Sequence, residues 1–220
     1  MPLTGPEALP LSGGPARQLV VLLHGVGADG ADLADLIPYV APALPDAAFV
    51  CPDGPQPYDM APFGRQWFSL ADRSGPALAA GVRQGAQVAD GFLDEQLARF
   101  GLTDAECAVI GFSQGTMVAL QMAPRRARPL AAVVGFSGAL VAAETLAADI
   151  RARPRVLLIH GAEDEVVNPA CLPQAEQALA AAGIPVLAES RPGLGHSIDG
   201  PGLALAIGFL RQAFGLESDG

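Results

Sequence analysis

Short apolar runs recur along the chain, and their pattern predicts strands that are buried on both faces. The runs are mainly β-branched or aliphatic, without polar alternation, and occupy residues 19–23, 48–51, 107–110, 131–134, 156–159 and 186–188. A strand with one face in water alternates apolar and polar positions, whereas an unbroken apolar run is typical of a strand in a covered parallel sheet. We therefore expect a mostly parallel central sheet.

Longer segments with helical character lie between these runs, at residues 79–100, 116–123, 171–182 and 203–214. Alternating strands and helices predict a doubly wound α/β fold, in which right-handed crossovers place helices on both faces of the sheet. The length of 220 residues favours one domain over two, so we expect a single domain over residues 1–220. Its Pro- and Gly-rich lead-in, residues 1–17, is expected to add an edge strand.

The segment 52–75 interrupts this pattern with four prolines and several aromatic side chains. One interpretation is an irregular excursion that carries apolar side chains to the rim of a binding site. On this interpretation Met60, Phe63, Trp67 and Phe68 are candidate substrate contacts in an apolar groove. The alternative is a loop that its aromatic side chains pin onto the core.

Composition and charge narrow the function further. Half of the residues are apolar, the formal net charge is −10, and the 13 basic residues are scattered. A globular protein is expected, and nucleic acid is not expected as a partner, because no basic stripe is available to follow phosphates. All 13 basic residues are Arg, which excludes proteins that need a lysine amine, such as Schiff-base aldolases, pyridoxal phosphate enzymes and proteins with a Walker-type phosphate loop.

The chain carries few signs of export, membrane insertion or metal binding. The amino terminus lacks early positive charge, and no apolar run approaches the roughly 20 residues that a membrane-spanning helix needs. The three cysteines are odd in number and are not spaced as metal ligands, which favours reduced thiols. We therefore expect a cytoplasmic protein without stable membrane insertion and without a metal or cofactor.

A candidate nucleophile lies in Gly111-Phe112-Ser113-Gln114-Gly115, between an apolar run and a helical pattern. The G-x-S-x-G pattern in this context is typical of the nucleophile elbow of α/β-hydrolases, where a sharp strand-to-helix turn lifts the serine above the sheet. Side chains at the two flanking glycine positions would collide in such a turn. A helix amino terminus beside Ser113 would also favour developing negative charge.

A serine hydroxyl needs a base, usually a histidine that a carboxylate holds in place. In α/β-hydrolases the three residues follow the order serine, acid, histidine, which excludes His24 and leaves His160 and His196. His160 ends a predicted strand, and the turn after it carries three carboxylates. If one of these is the acid, the base must come later in the chain, which favours His196 in its Gly-rich loop.

The acid and the oxyanion donors complete the candidate site. Asp164 is preferred to its neighbours Glu163 and Glu165, because a short side chain in a tight loop holds an imidazole more rigidly. One oxyanion donor is expected to be the backbone amide of Gln114, directly after the nucleophile. The other is expected to be the amide of Val26, in the turn after the first long strand.

Four segments together resemble one family. Leu23 to Gly30, Gly111 to Gly115, His160 to Val167 and Gly195-His196 resemble the bacterial carboxylesterase and acyl-protein thioesterase family, also called phospholipase/carboxylesterase. The resemblance implies the α/β-hydrolase fold, the triad Ser113, Asp164 and His196, and the oxyanion amides of Val26 and Gln114. It matches Asp164 to the family aspartate that precedes two valines, and it adds Val167 to the candidate substrate contacts.

The resemblance covers most of the chain and departs from the family at one place. Ser69 stands where the family's Trp-aromatic-Asp element commonly has aspartate, which puts the anchoring of the local pocket in question. Family members often form dimers, so a homodimer is also an expectation. The resemblance implies no cofactor.

These observations predict a serine carboxylesterase that hydrolyses short- to medium-chain esters of small molecules through an acyl-enzyme. An acyl-protein thioesterase or a lysophospholipase is the alternative within the same chemistry, because the same triad serves all three. A third alternative is a non-catalytic homologue that only binds a ligand.

Overall fold

A central sheet of seven strands dominates the computed structural model, which describes residues 3–216. The described residues form nine strands: Glu7–Ala8 (β1), Gln18–Leu23 (β2), Ala47–Val50 (β3), Gln56–Pro57 (β4), Arg65–Gln66 (β5), Cys107–Phe112 (β6), Ala132–Phe136 (β7), Arg155–Gly161 (β8) and Val186–Arg191 (β9). The large sheet has the order β1-β3-β2-β6-β7-β8-β9, and β4 and β5 form a separate antiparallel pair. Only β1, on the edge beside β3, runs antiparallel in the large sheet.

Helices cover both faces of this sheet. They are Gly30–Ala34 (α1), Ile37–Val40 (α2), Gly75–Phe100 (α3), Gln114–Met122 (α4), Leu146–Asp149 (α5), Cys171–Ala181 (α6) and Gly200–Ala213 (α7). Side chains of α3, α4 and α6 form one buried cluster against the sheet, whereas those of α1, α2 and α7 form the other. The two clusters explain why the central strands are apolar without alternation, since each successive side chain enters one cluster or the other.

The register of the sheet brings several strand ends to one edge. Leu23 of β2 lies opposite Gly111 of β6, and Phe112 of β6 lies opposite Phe136 of β7. Phe136 in turn lies opposite Ile159 of β8. Because these strands are parallel, the loops that follow them emerge side by side at the carboxyl edge, where α/β proteins place their ligand sites.

The structure confirms the predicted fold and adds short elements. Each of the six predicted strands and four predicted helices is present, with ends that shift by a few residues, and the lead-in supplies the edge strand β1. The short helices α1, α2 and α5 and the β4–β5 pair were not predicted. Within residues 3–216, no helix combines the length and the apolar character that crossing a bilayer requires.

Candidate active site

Ser113 lies in a sharp turn between β6 and α4. Its backbone has φ 52° and ψ −113°, a conformation that costs a non-glycine residue roughly 1–3 kcal/mol and that clusters at functional sites. The flanking glycines have the steric role that the sequence predicts. A Cβ on Gly115 would lie 1.9 Å from the carbonyl oxygen of Leu23, and one on Gly111 would lie 2.6 Å from the amide nitrogen of Thr116.

The neighbouring strand holds this turn in place. The Ser113 amide donates to the carbonyl of Phe136 at 2.9 Å, so the end of β7 fixes the end of β6. Helix α4 begins at Gln114, directly after the serine. The first amides of a helix lack partners within the helix, and here they lie beside the serine that the sequence marks as nucleophile.

Asp164 and His196 form a hydrogen-bonded pair at the same edge of the sheet. Nδ1 of His196 donates to Oδ2 of Asp164 at 2.7 Å, because a carboxylate can only accept. The other oxygen, Oδ1, accepts from the amides of Val166 at 2.9 Å and Val167 at 2.8 Å. Burial alone would raise the pKa of Asp164, but the hydrogen bonds from His196 and the two amides outweigh it and lower that pKa.

A second histidine reaches the same carboxylate. His160, at the end of β8, places Nε2 3.2 Å from Oδ2 of Asp164 and 3.0 Å from the carbonyl oxygen of Val167. Both neighbours are acceptors, so this nitrogen carries a proton and donates. From the sequence, His160 is an alternative base only if the acid does not lie in the turn that follows it. In the structure its ring contacts the Asp164 carboxylate, and its side chain is 2% exposed.

The ring of His196 lies between Asp164 and the nucleophile turn. It packs against Phe112, the residue before Ser113, with ring centroids 4.9 Å apart. Its side chain keeps 17% of its surface exposed, so the residue is not sealed inside the core. The hydrogen bonds among residues 3–216 join His196 to Asp164 but do not join it to the Ser113 hydroxyl. Such catalytic contacts often tighten only when substrate binds.

The turn after β2 lies directly beside the candidate nucleophile. A Cβ on Gly25 would lie 3.3 Å from Cβ of Ser113, which brings the next residue, Val26, to the side of the serine. Among the hydrogen bonds of residues 3–216, the Val26 amide has no acceptor. Val26 and Gln114 thus lie in two segments that flank Ser113, and their role as oxyanion donors stays a prediction.

His24 braces this turn through both of its ring nitrogens. The ring is fully buried, its Nε2 accepts from the Gly54 amide at 2.8 Å, and its Nδ1 donates to the carbonyl of Gly25 at 2.7 Å. Burial lowers the pKa of His24, which favours the neutral ring that this pairing needs. The imidazole therefore stabilises the turn rather than exchanging protons with a substrate.

The candidate substrate contacts of the segment 52–75 divide into two groups. Met60 and Phe63 are 73% and 74% exposed, whereas Trp67 and Phe68 are 0% and 1% exposed. The prediction that Trp67 and Phe68 line an apolar groove is therefore wrong, because both side chains are packed into the core beneath α3. For these two residues the alternative interpretation, a loop pinned by its aromatics, is correct. Val167 is half-buried beside Asp164.

Titratable side chains do not gather into a metal site in the part of the chain that the structure describes. Over residues 3–216, no group of three or more His, Cys, Asp or Glu side chains is arranged to hold a metal ion.

The parallel sheet, the strained serine turn and the carboxylate-bound histidine define the class of α/β-hydrolases. Comparisons with known proteins agree. The family model described as phospholipase/carboxylesterase matches residues 8–214. Esterase YpfH of Escherichia coli is 31% identical over 197 residues, which cover 90% of this chain and 83% of the relative.

Solved structures give the same result. The crystal structure of esterase PE8 is 40% identical, with a TM-score of 0.92 over 97% of this chain and 100% of that chain. Acyl-protein thioesterase 2 of Zea mays is 27% identical, with a TM-score of 0.76 over 94% of this chain and 97% of that chain. The chain belongs to the phospholipase/carboxylesterase family, and it is a hydrolase of the esterase type.

Proposed function

We propose that the protein is a serine carboxylesterase that hydrolyses short- to medium-chain esters of small molecules through an acyl-enzyme. The observation that carries the proposal is the shared edge of the sheet, where the strained Ser113 turn lies against a histidine bonded to a buried carboxylate. That arrangement has the parts that nucleophilic acyl transfer needs: a nucleophile, a base and a group that orients the base.

The geometry supports a two-stage mechanism. Oγ of Ser113 attacks the ester carbonyl carbon while its proton passes to Nε2 of His196, and the carbonyl oxygen becomes an oxyanion facing the amides of Val26 and Gln114. Collapse breaks the bond to the alcohol, which leaves with the proton from His196. Water then attacks the acyl-serine, gives its proton to His196, and the acid is released as Ser113 regains its hydrogen. Asp164 keeps the imidazole oriented throughout.

The nucleophile is tested by rapid mixing with p-nitrophenyl acetate. The parent protein is expected to release a burst of about one nitrophenolate per active site. Ser113→Ala is expected to abolish the burst and to lower kcat at least about 10³-fold. Ser190→Ala, at an exposed serine of β9, is the matched control and should keep both. Turnover of Ser113→Ala at the parental rate would disprove the serine mechanism.

The choice of acyl group is tested separately, because the maize relative is named an acyl-protein thioesterase. Trp67 and Phe68 fill the core instead of lining a groove, which supports short and medium acyl chains over long ones. A series of p-nitrophenyl esters from acetate to palmitate, run beside a palmitoyl thioester, should give the highest kcat/KM between acetate and octanoate. A maximum on the palmitoyl thioester would favour the thioesterase instead.

The expected cytoplasmic location rests on the cysteines. Cys51, Cys107 and Cys171 are all unpaired thiols in the described residues, and unpaired thiols are typical of a reducing compartment.

A further inference from the structure

The segment from Gly54 to Phe68 contacts both loops that carry the proposed oxyanion amides. Its contact with the first loop is made mainly by backbone. The Gly27 amide donates to the carbonyl of Arg65 at 2.8 Å, and the Arg65 amide donates to the carbonyl of Ala28 at 2.7 Å. The turn that presents Val26 is therefore paired with β5 almost as a strand would be.

The same segment is bound to Gln114, the residue that carries the second amide. The Trp67 amide donates to Oε1 of Gln114 at 2.8 Å, and Nε2 of Gln114 donates to the carbonyl of Phe68 at 2.8 Å. Both polar ends of this 1% exposed side chain are thus committed to the segment. Burial makes these bonds costly to lose, since an unpaired polar group would remain inside.

Trp67 joins the two contacts. Its indole Nε1 donates to the carbonyl of His24 at 3.0 Å, two residues before Val26, while its backbone amide holds Gln114. The ring is fully buried and lies 5.6 Å from the ring of His24. One residue therefore connects the two donors, its indole bonding the loop of Val26 and its backbone amide bonding the side chain of Gln114.

We propose that Trp67 is a positioning residue that sets the spacing between the Val26 and Gln114 amides, an inference that rests on the proposed esterase function. Oxyanion donors accelerate a reaction only when they are fixed where the charge develops. A small displacement of a donor therefore reduces the stabilisation of the transition state more than that of the bound substrate. Trp67 acts through His24 and Gln114 and does not touch the substrate.

The test removes the contact to His24 and the contacts to Gln114 in separate variants. Trp67→Phe keeps an aromatic ring but loses the bond to His24, and it is expected to lower kcat for p-nitrophenyl acetate about 10-fold with KM changed less than about twofold. An alkyl trifluoromethyl ketone, whose serine adduct carries an oxyanion, should bind about 10-fold more weakly. Val82→Ala, a fully buried packing change on α3, should lower the unfolding midpoint while kcat and ketone binding persist.

A second variant keeps the proposal testable if Trp67→Phe does not fold. Gln114→Met removes the side-chain contacts but keeps the backbone amide, so kcat and ketone binding should fall as in Trp67→Phe. The double variant should lose less than the product of the two effects, because both act on one connection. Parental kcat in both single variants, or a loss of kcat without loss of ketone binding, would overturn the positioning role. The proposed esterase function would still stand after either result, provided that Ser113→Ala abolishes the burst. Turnover by Ser113→Ala at the parental rate would instead contradict the esterase mechanism itself.

Discussion

At the residue scale, the backbone of Ser113 holds a conformation that its own side chain disfavours. With φ 52° and ψ −113°, this position suits glycine, and a Cβ there costs free energy in the folded state. The strain persists because β7 holds the Ser113 amide and α4 follows at once. The proposed mechanism needs the hydroxyl of Ser113, and on that mechanism the strain lowers the free energy of unfolding in exchange for the nucleophile.

Two variants that the proposed mechanism expects to be inactive separate the backbone strain at Ser113 from its chemistry. Ser113→Gly should have a free energy of unfolding about 1 kcal/mol higher than Ser113→Ala, because relief of strain exceeds the added entropy of unfolded glycine. Urea titration followed by circular dichroism measures the difference, and Ser190→Gly against Ser190→Ala on β9 is the control, where alanine should be the more stable. Equal stabilities of the two Ser113 variants would mean that the turn is unstrained.

The sequence predicts those residues of the candidate site that short motifs or chain order identify. Ser113 is recognisable because its glycines and its strand-to-helix context lie within a few positions, and His196 follows from chain order among only three histidines. The role of Trp67 is not local. Its partner Gln114 lies 47 residues away, and aromatic character alone fits both a groove and a core, so the sequence could not choose between them.

At the element scale, predictions succeed where burial repeats over many residues. The long apolar strands and amphipathic helices each carry several matching positions, so their type is clear and only their ends shift. Helix α3 begins at Gly75 rather than at residue 79 because Pro76 occupies its first turn, a position that proline tolerates. A proline there is as compatible with a loop, which explains the late predicted start.

The elements that sequence reasoning missed are short and depend on distant partners. Strands β4 and β5 have two residues each, and Pro57 in β4 argues against a strand. They form because β5 also pairs with the turn after β2. Helix α3 contributes from the other side, since a Cβ on Gly81 would lie 2.7 Å from the ring of Phe68. The segment 52–75 is therefore ordered by its surroundings rather than by its own pattern.

At the scale of the whole molecule, a chain with a net charge of −10 must keep its carboxylates apart or pair them. Arg126 pairs three at once: Asp90 and Asp94 of α3, and Asp104 before β6. Its side chain is 7% exposed. Burial would lower the pKa of Arg126, but its bonds to the aspartates outweigh this and raise it. The guanidinium thereby ties α3 to the segment leading into β6 and to the segment after α4.

This cluster predicts a large, salt-dependent effect of one substitution. Arg126→Met should lower the free energy of unfolding by about 2 kcal/mol, because three carboxylates are left facing one another, although their partial exposure keeps the loss below that of a fully buried pair. Arg99→Met is the matched control, since its pair with Glu7 is 46% and 43% exposed, and it should cost less than about 1 kcal/mol. Urea titrations at low salt and at about 1 M salt measure the loss. The loss caused by Arg126→Met should be smaller at about 1 M salt, because the screening length falls to about 3 Å and the repulsion between the carboxylates is weakened. A loss that is equal at both salt concentrations would show that Arg126 stabilises the fold through packing of its stem and not through charge.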